Sequence, residues 1–547
     1  MTRKLIAFIV LPVIILGIIA AGCDIKSPTE GLPIIVKTIA RQTTVSVNIT
    51  DASGAIITAP LVAKFTGRDA DKVIDEVNLA ITQQSTTSGS LLFCIKDNVQ
   101  ISSSSPVTLL LKISSANNDY LAVSYPVTIT STGYSQISVK MVPMTQLQSK
   151  GIDNVVKAGA GTASASGAVT SPVSITTNSG SVVTIPAGSV LKDASGSPLS
   201  GSLTVNTTIY SAGASSLIPV SRTMPDNSMF YPLAAASVQV TDASGRSASQ
   251  SSGTPASVFV PAGNAVNPLT GAPYQAGDKA EVYTADAQGN LTKVADVTAS
   301  SGSPSMSAGR GGVFTDGTAA GLGFPSPLSL NQQSFLGNFV RPAAPPHGTW
   351  NFTTSGFTSA YQGTFKFYVV QNGQLTALSQ TSNSYLNFRT TGLPAGVDTV
   401  AICYGNTKLE LAPRAVIAAD AKNGTTTFDL SSINLTTYTV FIQGKCPSES
   451  PSNPKRISPT ITVHMAKGGM YMGDLNIEDG YGVVMLPKGL YTMSATYKGT
   501  TYSVNVTVDG SSVDIGTSSN VEKMKFLTQS GDTVLIGYYI ITTEACN

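Results

Sequence analysis

Val45-Ser46-Val47-Asn48-Ile49-Thr50 runs into Asp51-Ala52-Ser53-Gly54 and then Ala55-Ile56-Ile57. The first six residues are apolar on alternate positions, the period at which strand side chains point to opposite faces. The next four read as a turn. Asp at the first turn position accepts hydrogen bonds from the backbone ahead of it, and Gly tolerates positive φ at the end. The stretch therefore predicts strand, turn, strand. The same four residues return as Asp193-Ala194-Ser195-Gly196 and Asp242-Ala243-Ser244-Gly245, with a variant at Asp286-Ala287-Gln288-Gly289. Their spacing is irregular, so this is a hairpin device used repeatedly and not a solenoid period. Asn372-Gly373 and Asn423-Gly424 predict further hairpins. The one helix expected is short, over Asp71 to Ala80.

Composition points the same way. Apolar residues make up 42% of the 547 and charged residues 12%, about half the usual charged share. That hydrophobicity argues against disorder, and abundant β-branched residues fit pleated, half-buried surfaces. The chain is too long for one core and predicts about three to five domains. The fold class expected is all-β: tandem β-sandwich domains, Ig-like or transthyretin-like, joined by Gly/Ser/Pro-rich linkers. Residues 151–167 are small and polar, 300–323 are Gly/Ser-rich, and Arg341 to Pro346 is Pro-rich. These divide the chain into 33–148, 165–299, 348–437 and 438–547. Net charge is +2 with no basic block, which speaks against a nucleic-acid partner.

Before the first domain, Arg3 and Lys4 precede an apolar run from Leu5 to Ile19, followed by Ala20-Ala21-Gly22-Cys23. This resembles a bacterial lipoprotein signal peptide, residues 1–22, ending in a lipobox with Ala20 where Leu is usual. The resemblance implies cleavage before Cys23, acylation of Cys23 and attachment to a membrane, with the outer membrane of the envelope as the expected place. Val183-Thr184-Ile185-Pro186-Ala187-Gly188, with Leu199 to Val205 and Val258-Phe259-Val260-Pro261-Ala262-Gly263, is similar to the β-sandwich domain shared by zonula occludens proteins, ankyrins and netrin receptors. Pro186 cannot donate to a ladder, so the strand before it should end there. Some members of that family cleave themselves at His-apolar-Ser/Thr. His464 is followed by Met465-Ala466 and His347 by Gly348, so the resemblance does not extend to self-cleavage. Gly444-Lys445-Cys446 onward, with Leu486-Pro487-Lys488-Gly489-Leu490-Tyr491, resembles a carboxypeptidase-regulatory or transthyretin-like sandwich.

Chemistry-bearing residues are few. Two histidines leave little for a Ser-His-Asp or Cys-His site, and no phosphate loop or nucleophile elbow appears. No cofactor, metal site or catalytic residue is expected. Of the five cysteines, Cys446 and Cys546 are the pair expected to bridge, stapling the last strand of their domain to its first. Cys403 with Cys446 is the competing pair, and Cys94 reads as a core residue. Asp69, Asp71, Asp75 and Glu76 read as a solvated acidic face, because Val73 stands where a calcium loop needs a ligand. Met465, Met470, Met472, Met485 and Met493 read as core filling. Tyr471, Tyr481, Tyr491, Tyr497 and Tyr502 would make a sugar-stacking face if exposed together. The function implied is a membrane-anchored structural, adhesive or scaffold component of the cell surface that is not an enzyme. The alternative is a carbohydrate-binding surface lipoprotein holding polysaccharide. Its partners would be the membrane, through the anchor, and surface polysaccharide or other envelope proteins.

Overall fold

The computed structural model describes residues 34–37, 41–75, 78–221, 229–301, 322–340, 435–448, 454–508, 518–524 and 533–546, with the strands 349–355, 365–371, 374–377, 387–390, 397–404, 415–416, 423–429, 513–515 and 529–530. For 34–37, and for the strands within 349–429, only the backbone is described. Almost every described element is a strand, and the strands stack as tandem β-sandwiches.

The turn read first forms as its residues dictate. Asp51 Oδ1 accepts the Ser53 N–H at 2.8 Å, the Ser53 hydroxyl at 2.6 Å and the Ala55 N–H at 2.9 Å. Asp193 and Asp242 repeat all three bonds. Gly54 takes φ 93° and Gly245 φ 80°, where a Cβ would be strained.

In the first sandwich, Thr43–Asp51 lies between Ser90–Ile95, antiparallel, and Gly133–Met141, parallel. The facing sheet holds Leu61–Thr66, Gln83–Thr86, Val107–Ser115 and Val123–Ile129. Val45, Val47, Ile49, Phe93, Leu109 and Val139 fill the space between. The second sandwich pairs a six-stranded with a five-stranded sheet over Val205, Val238, Val258 and Phe324. In the third segment, Thr349–Ser355 runs parallel to Asn423–Asp429. In the last, Leu435–Lys445 runs parallel to Thr533–Ile541. Among the described residues, an early strand beside a late one, in parallel, thus recurs in the first, third and last segments.

The structure departs from the sequence reading in several places. Residues 151–167 are not a linker. Ile152–Ala163 is an edge strand paired with Gly201–Tyr210, with a bulge between Lys157 and Gly161. Gln333–Val340 joins the same sheet, pairing with Met229–Asp242 and Lys279–Ala285. The second sandwich therefore draws strands from outside 165–299. Small residues were read as flexibility, but they also suit a strand with a bulge. The expected helix at Asp71 reduces to one 3-10 turn, Ala70–Lys72, after which Val73–Ile74 pairs with Cys94 and Ile95. Burial of two β-branched side chains decides against the helix there. Asn423-Gly424 opens a strand and is not a turn. At Asn372-Gly373 the expected register does form, with Gln371 opposite Gln374. The strand Val182–Ile185 stops before Pro186.

Two contacts bind neighbours to the first sandwich. Leu121, Val142 and Leu147 share a buried cluster with Tyr210, Phe230, Phe335 and Phe339 of the second. The Asp286–Gly289 turn sits against it too: the Arg68 N–H donates to Gln288 O at 3.1 Å, and a Cβ on Gly289 would stand 2.6 Å from the Leu109 carbonyl. The other contact is with the last sandwich.

Candidate functional site

In the strand Thr43–Asp51, alternation sends Val45, Val47 and Ile49 into the sandwich core and Ser46, Asn48 and Thr50 to the opposite face. That face should be wet, yet Ser46, Asn48 and Thr50 are all buried. Ser90, Leu92 and Cys94 on the neighbouring strand are buried in the same way. Ser90–Ile95 touches Ile461–Lys467 and Gly489–Tyr497 of the last sandwich, and these strands cover the face.

The covering sheet is polar where it meets them. His464 stands opposite Asp474 on one side and Ser494 on the other, and Thr462 stands opposite Asn476. Residues directly opposite share a face, so these five side chains point together. Asp474 is the centre. Its Oδ2 accepts the Ser46 hydroxyl at 2.9 Å and the Gln136 amide at 2.6 Å, and its Oδ1 lies 2.6 Å from His464 Nδ1. With Asp474 ionised, the carboxylate only accepts and Nδ1 is the donor. The Asp474 and His464 side chains are 1% and 3% exposed. Ser46 and Asp474 are 428 residues apart in sequence. A backbone bond from the Ile56 N–H to Gly469 O, 3.0 Å, adds to the seam.

This quartet holds a serine, a histidine and an aspartate, but not in a catalytic order. A nucleophile needs a base on its own hydroxyl; here Ser46 donates to the acid. The arrangement fastens two sheets. In the sequence a lone His464 points to cleavage or catalysis before it points to packing. A histidine inside the largely apolar run Ile461–Ala466, with an Asp ten positions on at hairpin register, is the available signal.

The other candidates fall as follows. Cys23 lies outside the described residues. Cys446 and Cys546 form a disulfide, with Cα atoms 4.9 Å apart. Cys403 is in the strand Val397–Tyr404, and its side chain is not described. Cys94 is buried on the seam side, its Sγ 3.7 Å from the Thr44 hydroxyl. Asp69 is not on a solvated face. It is buried, paired with Lys72 at 2.8 Å and Arg68 at 3.1 Å, and accepts the Thr108 N–H at 2.7 Å. Burial pushes its carboxyl up, but Lys72, the Thr108 N–H and Arg68 together bring it below the usual carboxylate range. Met465, Met472 and Met493 are buried, while Met470 and Met485 have side chains outside the described set. Tyr491, Tyr497 and Tyr502 are buried and Tyr481 is exposed, so the stacking face does not assemble from them; the Tyr471 side chain is not described. Among the described residues no group of three or more His, Cys, Asp or Glu could hold a metal ion.

No family model matches the chain, and no curated protein matches it. Similar solved structures include a leucine-rich repeat protein from Bacteroides thetaiotaomicron, 12% identical over 36% of this chain and 26% of that one, with a TM-score of 0.11. The chain thus spans about a quarter of that protein. A streptococcal ancillary pilin is 8% identical over 49% of this chain and 93% of its own, with a TM-score of 0.14. The major pilin subunit of Bacillus cereus is 8% identical over 91% and 99%, with a TM-score of 0.12. Overlaps this loose leave function to the chain's own residues.

Proposed function

We propose that this chain is a bacterial envelope lipoprotein, held by acyl chains on Cys23, that acts as a structural or adhesive component of the cell surface and carries out no catalysis. The observation behind this is how the buried Asp474–His464 pair is used. Asp474 and His464 are closed off by Ser46 and Gln136 and join the first sandwich to the last. Other ionised groups also serve packing: Asp69 ties a loop to a strand, and Arg246 lies 2.7 Å from Asp242 and 3.8 Å from Asp193. In this reading 165–299 lies in the zonula-occludens-like module and 438–547 is the carboxypeptidase-regulatory-like one. Among the described residues no helix is long and apolar enough to cross a membrane; attachment in this reading rests on the Leu5 to Cys23 stretch. The outer membrane is the proposed location, and surface polysaccharide or envelope proteins are the proposed partners.

The test is intact mass of the purified full chain with protease shaving of cells. Acylated Cys23, loss of acylation in Cys23→Ala and cleavage on intact cells are expected. An unmodified Cys23 would sink the anchor. Reproducible binding of one glycan on an array would replace the scaffold reading with the carbohydrate-binding one.

A further inference from the structure

The short strand Ile34–Lys37 is not part of the first sandwich, which it precedes. It pairs in parallel with Lys455–Ser458 at the edge of the last one, from Ile34 opposite Lys455 to Lys37 opposite Ser458. The register fixes direction. The end from which the chain arrives, Ile34, is the Lys455 end. Lys445 stands opposite Arg456 and beside Ile541, so the strands Leu435–Lys445 and Thr533–Ile541 finish at that same end. The Cys446–Cys546 disulfide closes it.

We infer that the last sandwich, and not the first, faces the lipid surface, with its Lys445–Lys455 end toward the membrane and Ile34–Lys37 acting as a docked anchor strand. This rests on the acylation of Cys23 proposed above. Three observations carry it. Ten residues, 24–33, separate Cys23 from Ile34; fully extended they reach at most about 40 Å, which limits how far that end can stand from the acyl chains. Lys445 Nζ lies 5.7 Å from the Tyr539 ring centre and 2.6 Å from Glu522, while Arg456, which is buried, supports the same ring from 4.7 Å. Lys445 and Tyr539, both partly exposed, are side chains suited to the boundary between water and lipid headgroups. Finally, the first sandwich joins the last through the Asp474 seam and the second through the apolar cluster, so it stands between the second sandwich and the membrane-facing end.

The full acylated chain, in vesicles of phosphatidylethanolamine with phosphatidylglycerol carrying a headgroup energy acceptor, tests this. A genetically encoded fluorophore is placed at Glu522 in one protein and at Ser195, an exposed turn of the second sandwich, in another. Transfer from Glu522 should exceed that from Ser195 several-fold, and Ile35→Pro, which removes a backbone donor from the docked strand, should reduce the difference. Equal transfer from both sites, or no change in Ile35→Pro, would overturn the inference. Intact mass on the same sample separates this from failure of the anchor. Amide exchange across 455–458, read without lipid, should be several-fold faster in Ile35→Pro; unchanged exchange would also overturn it, whatever the state of Cys23.

Discussion

The first sandwich meets its two neighbours through opposite materials. Against the second it sets Leu121, Val142 and Leu147, which share a cluster with Phe230, Phe335 and Phe339. Against the last it sets Ser46 and Gln136, which converge on one carboxylate, Asp474. An apolar seam is non-directional and tolerates small shifts. A buried polar seam holds only if each group keeps its partner, because an orphaned one is expensive in a low dielectric. The first kind holds through buried apolar area. The second specifies one register between two sheets and is broken by a single change.

That difference orders the expected effects. Phe335→Ala should have the largest, destabilising by about 3–5 kcal/mol, because Phe335 is fully buried in the apolar seam. Thermal unfolding should show the first and second sandwiches weakened together. A loss confined to the second would mean that the cluster does not couple them.

Asp474→Ala should follow, at about 3 kcal/mol, since it takes the carboxylate from His464 and Ser46, both buried. Limited proteolysis should then cut between the first and last sandwiches while the Cys446–Cys546 bridge stays intact. Unchanged proteolysis would mean that the seam survives without its carboxylate.

A polar site made of near neighbours should behave differently. Asp242 is buried, which pushes its carboxyl up, yet the Ser244 hydroxyl, the Arg246 guanidinium and the backbone N–H groups of both hold it at about 2. A depressed native pKa contributes stability that is present above the unfolded value of about 3.9 and lost as pH falls through the folded one. Stability should therefore drop between about pH 4 and pH 2, and Asp242→Asn should flatten part of that drop in an acid titration followed by circular dichroism. An identical profile in the variant would remove Asp242 as a contributor.

The smallest effect is expected at Thr50. Its hydroxyl is buried on the seam face without a protein partner, so Thr50→Val should change stability by less than about 1 kcal/mol, in the stabilising direction if at all. A large loss would mean that the hydroxyl serves the seam.

How much of this was legible follows from sequence distance. The Asp51 turn was readable because the acceptor and its donors lie within four residues. The stop at Pro186 was readable because proline lacks a donor. The strand at Ile152 was not, since Gly and Ala carry no alternation to reveal a face. The seam was least legible. Its sequence signature, polar residues on alternate strand positions, is the same as that of a solvated face, and only the approach of a strand some four hundred residues away makes it buried. The Cys446–Cys546 pairing rested on where the two strand ends were expected, and the parallel register of Leu435–Lys445 with Thr533–Ile541 does place those ends together.

At the centre stands Asp474, which locks the first sandwich to the last. A double-mutant cycle between Ser46→Ala and Asp474→Asn tests it most directly, read as the opening free energy of the Thr43–Asp51 amides by native-state hydrogen exchange. Hydrogen-bonded partners should show a coupling of about 1–2 kcal/mol. Strict additivity of the two substitutions, with no coupling, would contradict the account.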